Sequence, residues 1–314
     1  MWNLLFLALA DLGGLGAVTP HAPSDALLEP TPSLSDMLPI QLDPDGWRNF
    51  VEVNGATFRE RNIVKQPGSL ALDSFGISWD LEHRADSGNV LAFGVDYQRL
   101  TYSKDYSLAG FSAPVGAADH WRLAASYSDL SNDEWAWFLG GRAEAGVVEE
   151  VLPWDELSFG GSLGLTLRAS EDLALELSLD AFDRPESDLR LIPLALVEWS
   201  MTDSLHLGRV GGGYGLDYQF DPRTNYFVAV DYVERAFRLN GDDMPPDGLL
   251  RDQERSVRLG LLWQPKEAIQ LELFAGAADR HLVLFDGSTD LASFDVEGAP
   301  FFGFRLLFGK GSIF

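Results

Sequence analysis

Residues 157–180 read LSFGGSLGLTLRASEDLALELSLD, and the fold is decided in this stretch. Leu157, Phe159, Leu163, Leu165 and Leu167 share one phase of a two-residue period, with Ser158, Gly160, Ser162, Gly164, Thr166 and Arg168 in the other. Successive side chains of a strand point to opposite faces, so this is a strand with one greasy face and one small, polar face. Ser170, Glu171 and Asp172 turn the chain, and Leu173, Leu175, Leu177 and Leu179 then alternate against Glu176, Ser178 and Asp180. The unit is a hairpin.

The same pattern recurs on both sides of it. Phe75, Ile77, Trp79 and Leu81 oppose Gly76, Ser78 and Asp80; Leu91, Phe93, Val95 and Tyr97 oppose Ala92, Gly94, Asp96 and Gln98. Trp121, Leu123, Ala125 and Tyr127 oppose Arg122, Ala124, Ser126 and Ser128, and Trp135, Trp137 and Leu139 continue the series. Further runs lie at 192–201, 214–220, 226–233, 257–263, 269–275 and 302–308. A first strand near 49–59 and a short one at 205–208, turning at 211–213, bring the expected count to fourteen, with twelve as the alternative. The number is even because both ends of such a chain normally lie on one side of the membrane.

Alternation alone also suits a soluble β-sandwich. Three features favour a transmembrane antiparallel up-and-down β-barrel. Short turns at 131–132, 170–172, 202–204, 221–224 and 264–267 are interleaved with long polar connections at 101–117, 146–156, 240–251 and 279–299, the asymmetry of outer-membrane barrels. Aromatics gather on the apolar face beside the short turns: Trp79, Tyr127, Trp135, Trp199, Tyr218, Phe220 and Trp263. A membrane interface favours rings at that level, whereas a soluble core has no reason to place them at one strand end. The polar face carries charges of both signs: Asp80, Asp96, Glu176, Asp180, Asp231 and Glu272, with Arg122, Arg142, Arg168, Arg258 and Arg305. These are the expected lumen residues. The last strand alternates Phe302, Phe304, Leu306 and Phe308 toward a terminal Phe314, a pattern similar to the signal read by the barrel-assembly machinery.

Over about two thirds of the chain, from residue 90 to 308, the sequence resembles an uncharacterised bacterial outer-membrane β-barrel family, a domain of unknown function. The stretches that carry the resemblance are VDYQRLTYS at 95–103, RLIPLALVEWSMTDSLHL at 190–207 and FRLNGD at 237–242. The resemblance implies the barrel fold and the bacterial outer membrane, and brings no catalytic residue with it.

Composition sets the outer bounds. Among 314 residues there are 48 acidic and 23 basic, a formal charge of −25, which argues against nucleic acid as a partner. The acidic groups must sit in water, in loops or a wet lumen. There is no cysteine, hence no disulfide or thiolate metal site. No apolar run reaches the length of a spanning helix. Residues 1–22, with LLFLALA at 4–10, are expected to be a signal peptide, 23–46 a Pro-rich periplasmic tether, and 47–314 the barrel.

Motifs with catalytic associations dissolve in context. Gly160 to Gly164 matches G-x-S-x-G, but no helix follows and the alternation runs unbroken through Ser162. His21, His83, His120, His206 and His281 form no local metal-binding pair. The GRVGGGYG segment at 208–215 lacks the Lys and helix of a phosphate loop and reads as a tight turn. Asp242, Asp243 and Asp247, like Asp286 and Asp290, read as solvated loop acids. No catalytic, cofactor or metal site is expected. The expected partners are outer-membrane lipid, the assembly machinery and small solutes. The leading role is a passive porin-like channel. Its rivals are a non-conducting structural or adhesion barrel with cation-binding acidic loops and, behind both, a lipid hydrolase using His120 or His281.

Overall fold

The computed structural model describes residues 47–311, apart from 65–66, 86–87, 104–106, 109–110, 113–114, 133, 149–156, 185–186, 211–212, 240–247, 267 and 288. The expected signal peptide and tether, the terminal Phe314, and Asp242, Asp243 and Asp247 lie outside these residues.

The strands are β1 (Trp47–Asn62), β2 (Ser69–Arg84), β3 (Asn89–Tyr102), β4 (Ser107–Leu108), β5 (Phe111–Ser112), β6 (Ala117–Asp129), β7 (Trp135–Val148) and β8 (Ser158–Ser170). They continue as β9 (Leu173–Arg184), β10 (Ser187–Thr202), β11 (Leu205–Val210), β12 (Gly213–Asp221), β13 (Thr224–Arg238), β14 (Gly248–Lys266), β15 (Ile269–Asp286) and β16 (Thr289–Gly311). β4 and β5 form a small separate hairpin in the connection between β3 and β6. The other strands make one closed 14-stranded antiparallel barrel, each strand beside its chain neighbours, with β1 closing on β16 through pairs such as Val51↔Phe308 and Phe58↔Phe301. Full closure leaves the ends of the sheet paired with each other, which is how a sheet can exist in lipid at all.

The greasy phase faces outward. Leu123, Leu163, Leu191, Leu259 and Phe302 are 55–62% exposed, and no second sheet covers them among the described residues. The sandwich reading fails on that point, because its apolar faces would be buried between sheets. On β6 the outward phase is bracketed by Asp129 at the short-turn end and Asp119 at the other, about ten residues apart, the span needed by a tilted strand crossing a ~25 Å apolar band.

One departure from the sequence reading concerns height. The stretch 279–299 is no long loop: the ladder continues through Val283↔Ser293 and Leu284↔Ala292 to Asp286↔Thr289. Likewise β14 begins at Gly248, inside the expected 240–251 connection. Alternation is hidden there because both faces are apolar, Leu282 and Leu284 on one and Val283 and Phe285 on the other, all buried. A register shift between Ala278 and Arg280 is held by Gly298, whose positive φ of 60° lets its N–H donate to Asp279 Oδ1 at 2.7 Å. The wall is thus tall at β14–β16 and low at β11–β12.

Candidate functional site

In the half of the barrel nearer the short turns, the inner phase combines small residues and paired charges with the buried Phe50, Phe138, Phe227 and Leu262. Ala92, Gly94, Ala124, Ser126, Gly140, Ser162 and Gly164 alternate with the outward leucines and aromatics. Small side chains leave the charged ones room to lie along the wall. Arg122 donates from Nε and Nη2 to Asp96 Oδ2, both at 3.0 Å. Arg305 Nε sits 3.0 Å from Glu52 and its Nη1 donates to Glu272 at 3.2 Å. Arg142 Nε lies 3.0 Å from Glu144, and Arg258 Nη2 lies 3.8 Å from Asp231. Arg209 grips Glu176 with both terminal nitrogens, at 2.9 and 2.7 Å. Asp80 lies in register with Phe50 and Gly94, and Arg168 with Ala174 at the short-turn end. Asp180 is buried, and its Oδ1 has no hydrogen-bond partner among the described residues.

The other half of the lumen is filled. Phe58, Leu72, Leu100, Phe237, Leu250, Leu282, Leu284, Phe294 and Phe301 belong to one buried apolar cluster fed by β1, β2, β3, β13, β14, β15 and β16. Polar contacts between strands that are not neighbours cross the same space. Tyr102 of β3 donates to Asp252 of β14 at 2.7 Å, and Arg235 of β13 donates to Gln98 of β3 at 2.8 Å. Arg280 donates to Asp252 at 2.7 Å, bonds Glu254, and stacks over Phe58 at 4.4 Å. A straight path along the barrel axis therefore ends at this plug.

Beside the plug the wall is dented inward. β11 has 6 residues and β12 has 9, between neighbours of 16 and 15. β10 pairs with β11 only from Trp199↔Leu207 to Thr202↔Leu205, and β12 pairs with β13 no further than Tyr214↔Val230. Beyond that, β13 leans across to β7 and pairs with it in parallel at Arg238↔Val147. The dent shows in side-chain phase. Arg209 shares the outward phase of Leu207 and Leu205, which pair with the exposed Trp199 and Tyr218, yet it holds Glu176, a residue 2% exposed on the inner face of β9. Tyr214 has the same phase and donates to Val197 O at 2.5 Å. A Cβ at Gly146 would collide with the Ala236 carbonyl, so only glycine admits β13 there.

A polar cleft lies between the dented segment and β7–β9. Arg142, Glu144, Phe182, Asp183, Glu234 and Arg238 are among its lining, with His120 and Leu249 at its depth. Its volume, about 30 Å³, accommodates about two water molecules. His120 Nε2 is 3.9 Å from Glu144, and His281 Nδ1 lies 2.7 Å from Asp295 on the exposed outer surface. Among the described residues no His, Asp and Glu side chains gather into a metal-binding set.

The interface aromatics sit where the band meets the short turns. Trp79, Trp135, Trp199, Tyr218 and Trp263 are 40–47% exposed, Trp79 donates to Asn49 at 2.6 Å, and Tyr127 packs its ring 5.4 Å from Trp137. At the opposite edge Tyr97 and Trp121 pack at 4.6 Å, and Tyr97 donates to Asp119 at 2.8 Å. Sequence reasoning missed Glu52, Arg209, Arg235, Asp252, Glu254 and Arg280. The last three fall in or beside stretches that looked like loops.

No protein-family model matches the chain, and no curated protein matches it in sequence. Solved structures do resemble it. The toluene transporter TodX of Pseudomonas putida is 11% identical with a TM-score of 0.42, covering 97% of this chain and 98% of its own. An outer-membrane channel from Pseudomonas putida F1 is 14% identical with a TM-score of 0.46, over 86% and 97%. A FadL homologue of Pseudomonas aeruginosa is 12% identical with a TM-score of 0.45, over 96% and 97%. The closed antiparallel wall, its outward apolar band and its aromatic edges make this chain a bacterial outer-membrane β-barrel.

Proposed function

We propose that the protein is a passive outer-membrane channel for small solutes and a member of the uncharacterised barrel family that its sequence resembles. The observation that carries the channel reading is the inner surface nearer the short turns, where Gly94, Ala124, Ser126, Gly140 and Ser162 stand between charged pairs of both signs. Ion pairs of both signs along that wall would favour small polar or zwitterionic solutes over strongly charged ones. The plug around Phe58, Leu100, Phe237 and Leu284 favours a second reading, a barrel that conducts nothing and serves as a structural or adhesive surface. Reconstitution into planar lipid bilayers separates the two. The channel gives discrete conductance steps at moderate voltage; a silent membrane under all voltages, with folded protein present, removes the channel and leaves the second reading.

A further inference from the structure

We propose that the cleft between β13 and β7–β9 seats the ammonium and carboxylate groups of a small zwitterion of the amino-acid kind. The seat presupposes the channel reading and adds a binding site and a solute class to it.

The crossing of β13 over β7 divides this end of the barrel. The two strands run parallel where Arg238 pairs with Val147, and the Ala236 carbonyl stands where a Cβ on Gly146 would lie. To one side, the arc of β13–β16, β1–β3, β6 and β7 encloses the buried plug. Each of those strands contributes to the plug, as with Ala118 of β6, Val148 of β7 and Phe237 of β13, and none of β8–β12 does. The cleft lies to the other side, where Glu234 and Arg238, in the outward phase of β13, face Arg142 and Glu144, in the inner phase of β7. His120 stands between the two spaces: it borders the cleft and sets its ring edge-on to Phe237 of the plug, 6.3 Å away.

Parallel pairing also brings two carboxylates to one level. Glu144 precedes Gly146 by two residues and Glu234 precedes Ala236 by two, so one acid enters from each wall just inside the crossing. The Glu234 side chain, 6% exposed, is fixed by the Tyr232 hydroxyl, which donates at 2.8 Å, and by Arg251 Nε at 3.4 Å. Glu144 has Arg142 Nε at 3.0 Å, and the Arg142 guanidinium is itself spread over the Phe182 ring at 3.6 Å. The charged groups are thus held in place before any solute arrives.

The polar space between them, about 30 Å³, holds about two water molecules. A zwitterion laid antiparallel to the Arg142–Glu144 pair meets an opposite charge at each end, its ammonium at Glu144 and Glu234 and its carboxylate at Arg142. Each end replaces one water and reproduces its hydrogen bonds, the condition for displacing ordered water without losing affinity. The rest of the solute extends through the mouth beside the exposed Asp183. A simple cation is set against Arg142 and a simple anion against two carboxylates, and such like-charge contacts are costly out of bulk water. Glu144, Asp183 and Glu234 are matched in number by Arg142, Arg238 and the supporting Arg251, so the site favours a solute with no net charge.

In the native protein in lipid nanodiscs, saturation-transfer NMR titrations should give glycine an affinity at least about tenfold higher than methylamine or acetate. Glu144→Gln and Glu234→Gln should each weaken glycine binding about tenfold, the loss of one charge-assisted contact. Glu82→Gln, which removes an inner carboxylate near the short-turn end of β2, should leave it unchanged. Each variant is first checked for heat-modifiable gel migration. Equal affinity for the three solutes in the native protein overturns the seat, as does methylamine binding tighter than glycine. Glycine binding unchanged in both folded cleft variants overturns it too. Conductance without cleft-dependent glycine binding keeps the channel and removes the seat, and cleft-dependent glycine binding without conductance does the reverse.

Discussion

At Arg280 the guanidinium is 2% exposed and meets the fully buried Asp252 at 2.7 Å, with Glu254 on its other nitrogen and the Phe58 ring beneath it. Bringing these ions together out of water is costly, and their mutual attraction recovers that cost only while the set is complete. Removing one member leaves the others uncompensated. Arg280→Met should therefore destabilise the barrel by about 3–5 kcal/mol, read from urea unfolding in micelles. The exposed Arg99–Asp119 pair, at 3.4 Å, provides the contrast. Arg99→Met should cost at most about 1 kcal/mol, because water screens the pair. A loss under 1 kcal/mol for Arg280→Met would show that water already reaches the cluster.

Individual strands give the sharpest test of which face meets lipid. Ala125 and Ser126 are adjacent small residues of β6, midway between the flanking Asp119 and Asp129, with Ala125 in the exposed phase and Ser126 in the inner one. Ala125→Arg should cost about 2–4 kcal/mol in folding into lipid vesicles, and Ser126→Arg about 1 kcal/mol or less, because the first charge enters acyl chains and the second enters a wet lumen. Equal costs would contradict the assigned faces. This alternation is the part of the fold most legible in the sequence, and it carried the strand count and the short turns. Where the period gives way to continuous apolarity, as in Leu282 to Phe285, the same reasoning took a tall hairpin for a loop. The dent was illegible for a different reason. The phases of Arg209 and Glu234 say outward, and only long-range contacts between β13 and β7 turn those faces toward the interior. Gly146 and Pro193 were the available signals, one admitting a backbone and the other marking an edge, and neither is interpretable before the partner strand is known.

For the whole molecule the unequal ends of the barrel set its orientation. Where described, the turns at one end are tight, as at Glu171–Asp172, Asp203–Ser204 and Pro222–Arg223. At the other end β14, β15 and β16, with 19, 18 and 23 residues, rise well above the apolar band, and the buried plug fills the enclosed space. Outer-membrane barrels keep short turns in the periplasm and project their taller elements outside. The plug then stands between the lumen and the exterior. Because the sequence contains no cysteine, a single introduced thiol reports its own side of the membrane without background. Asp290→Cys lies at the tip of the tall β15–β16 hairpin and should react with a membrane-impermeant maleimide on intact cells. Ser131→Cys, in the short turn after β6, should react only after the outer membrane is opened. Labelling in the reverse order would invert the barrel, placing the plug at the periplasmic mouth.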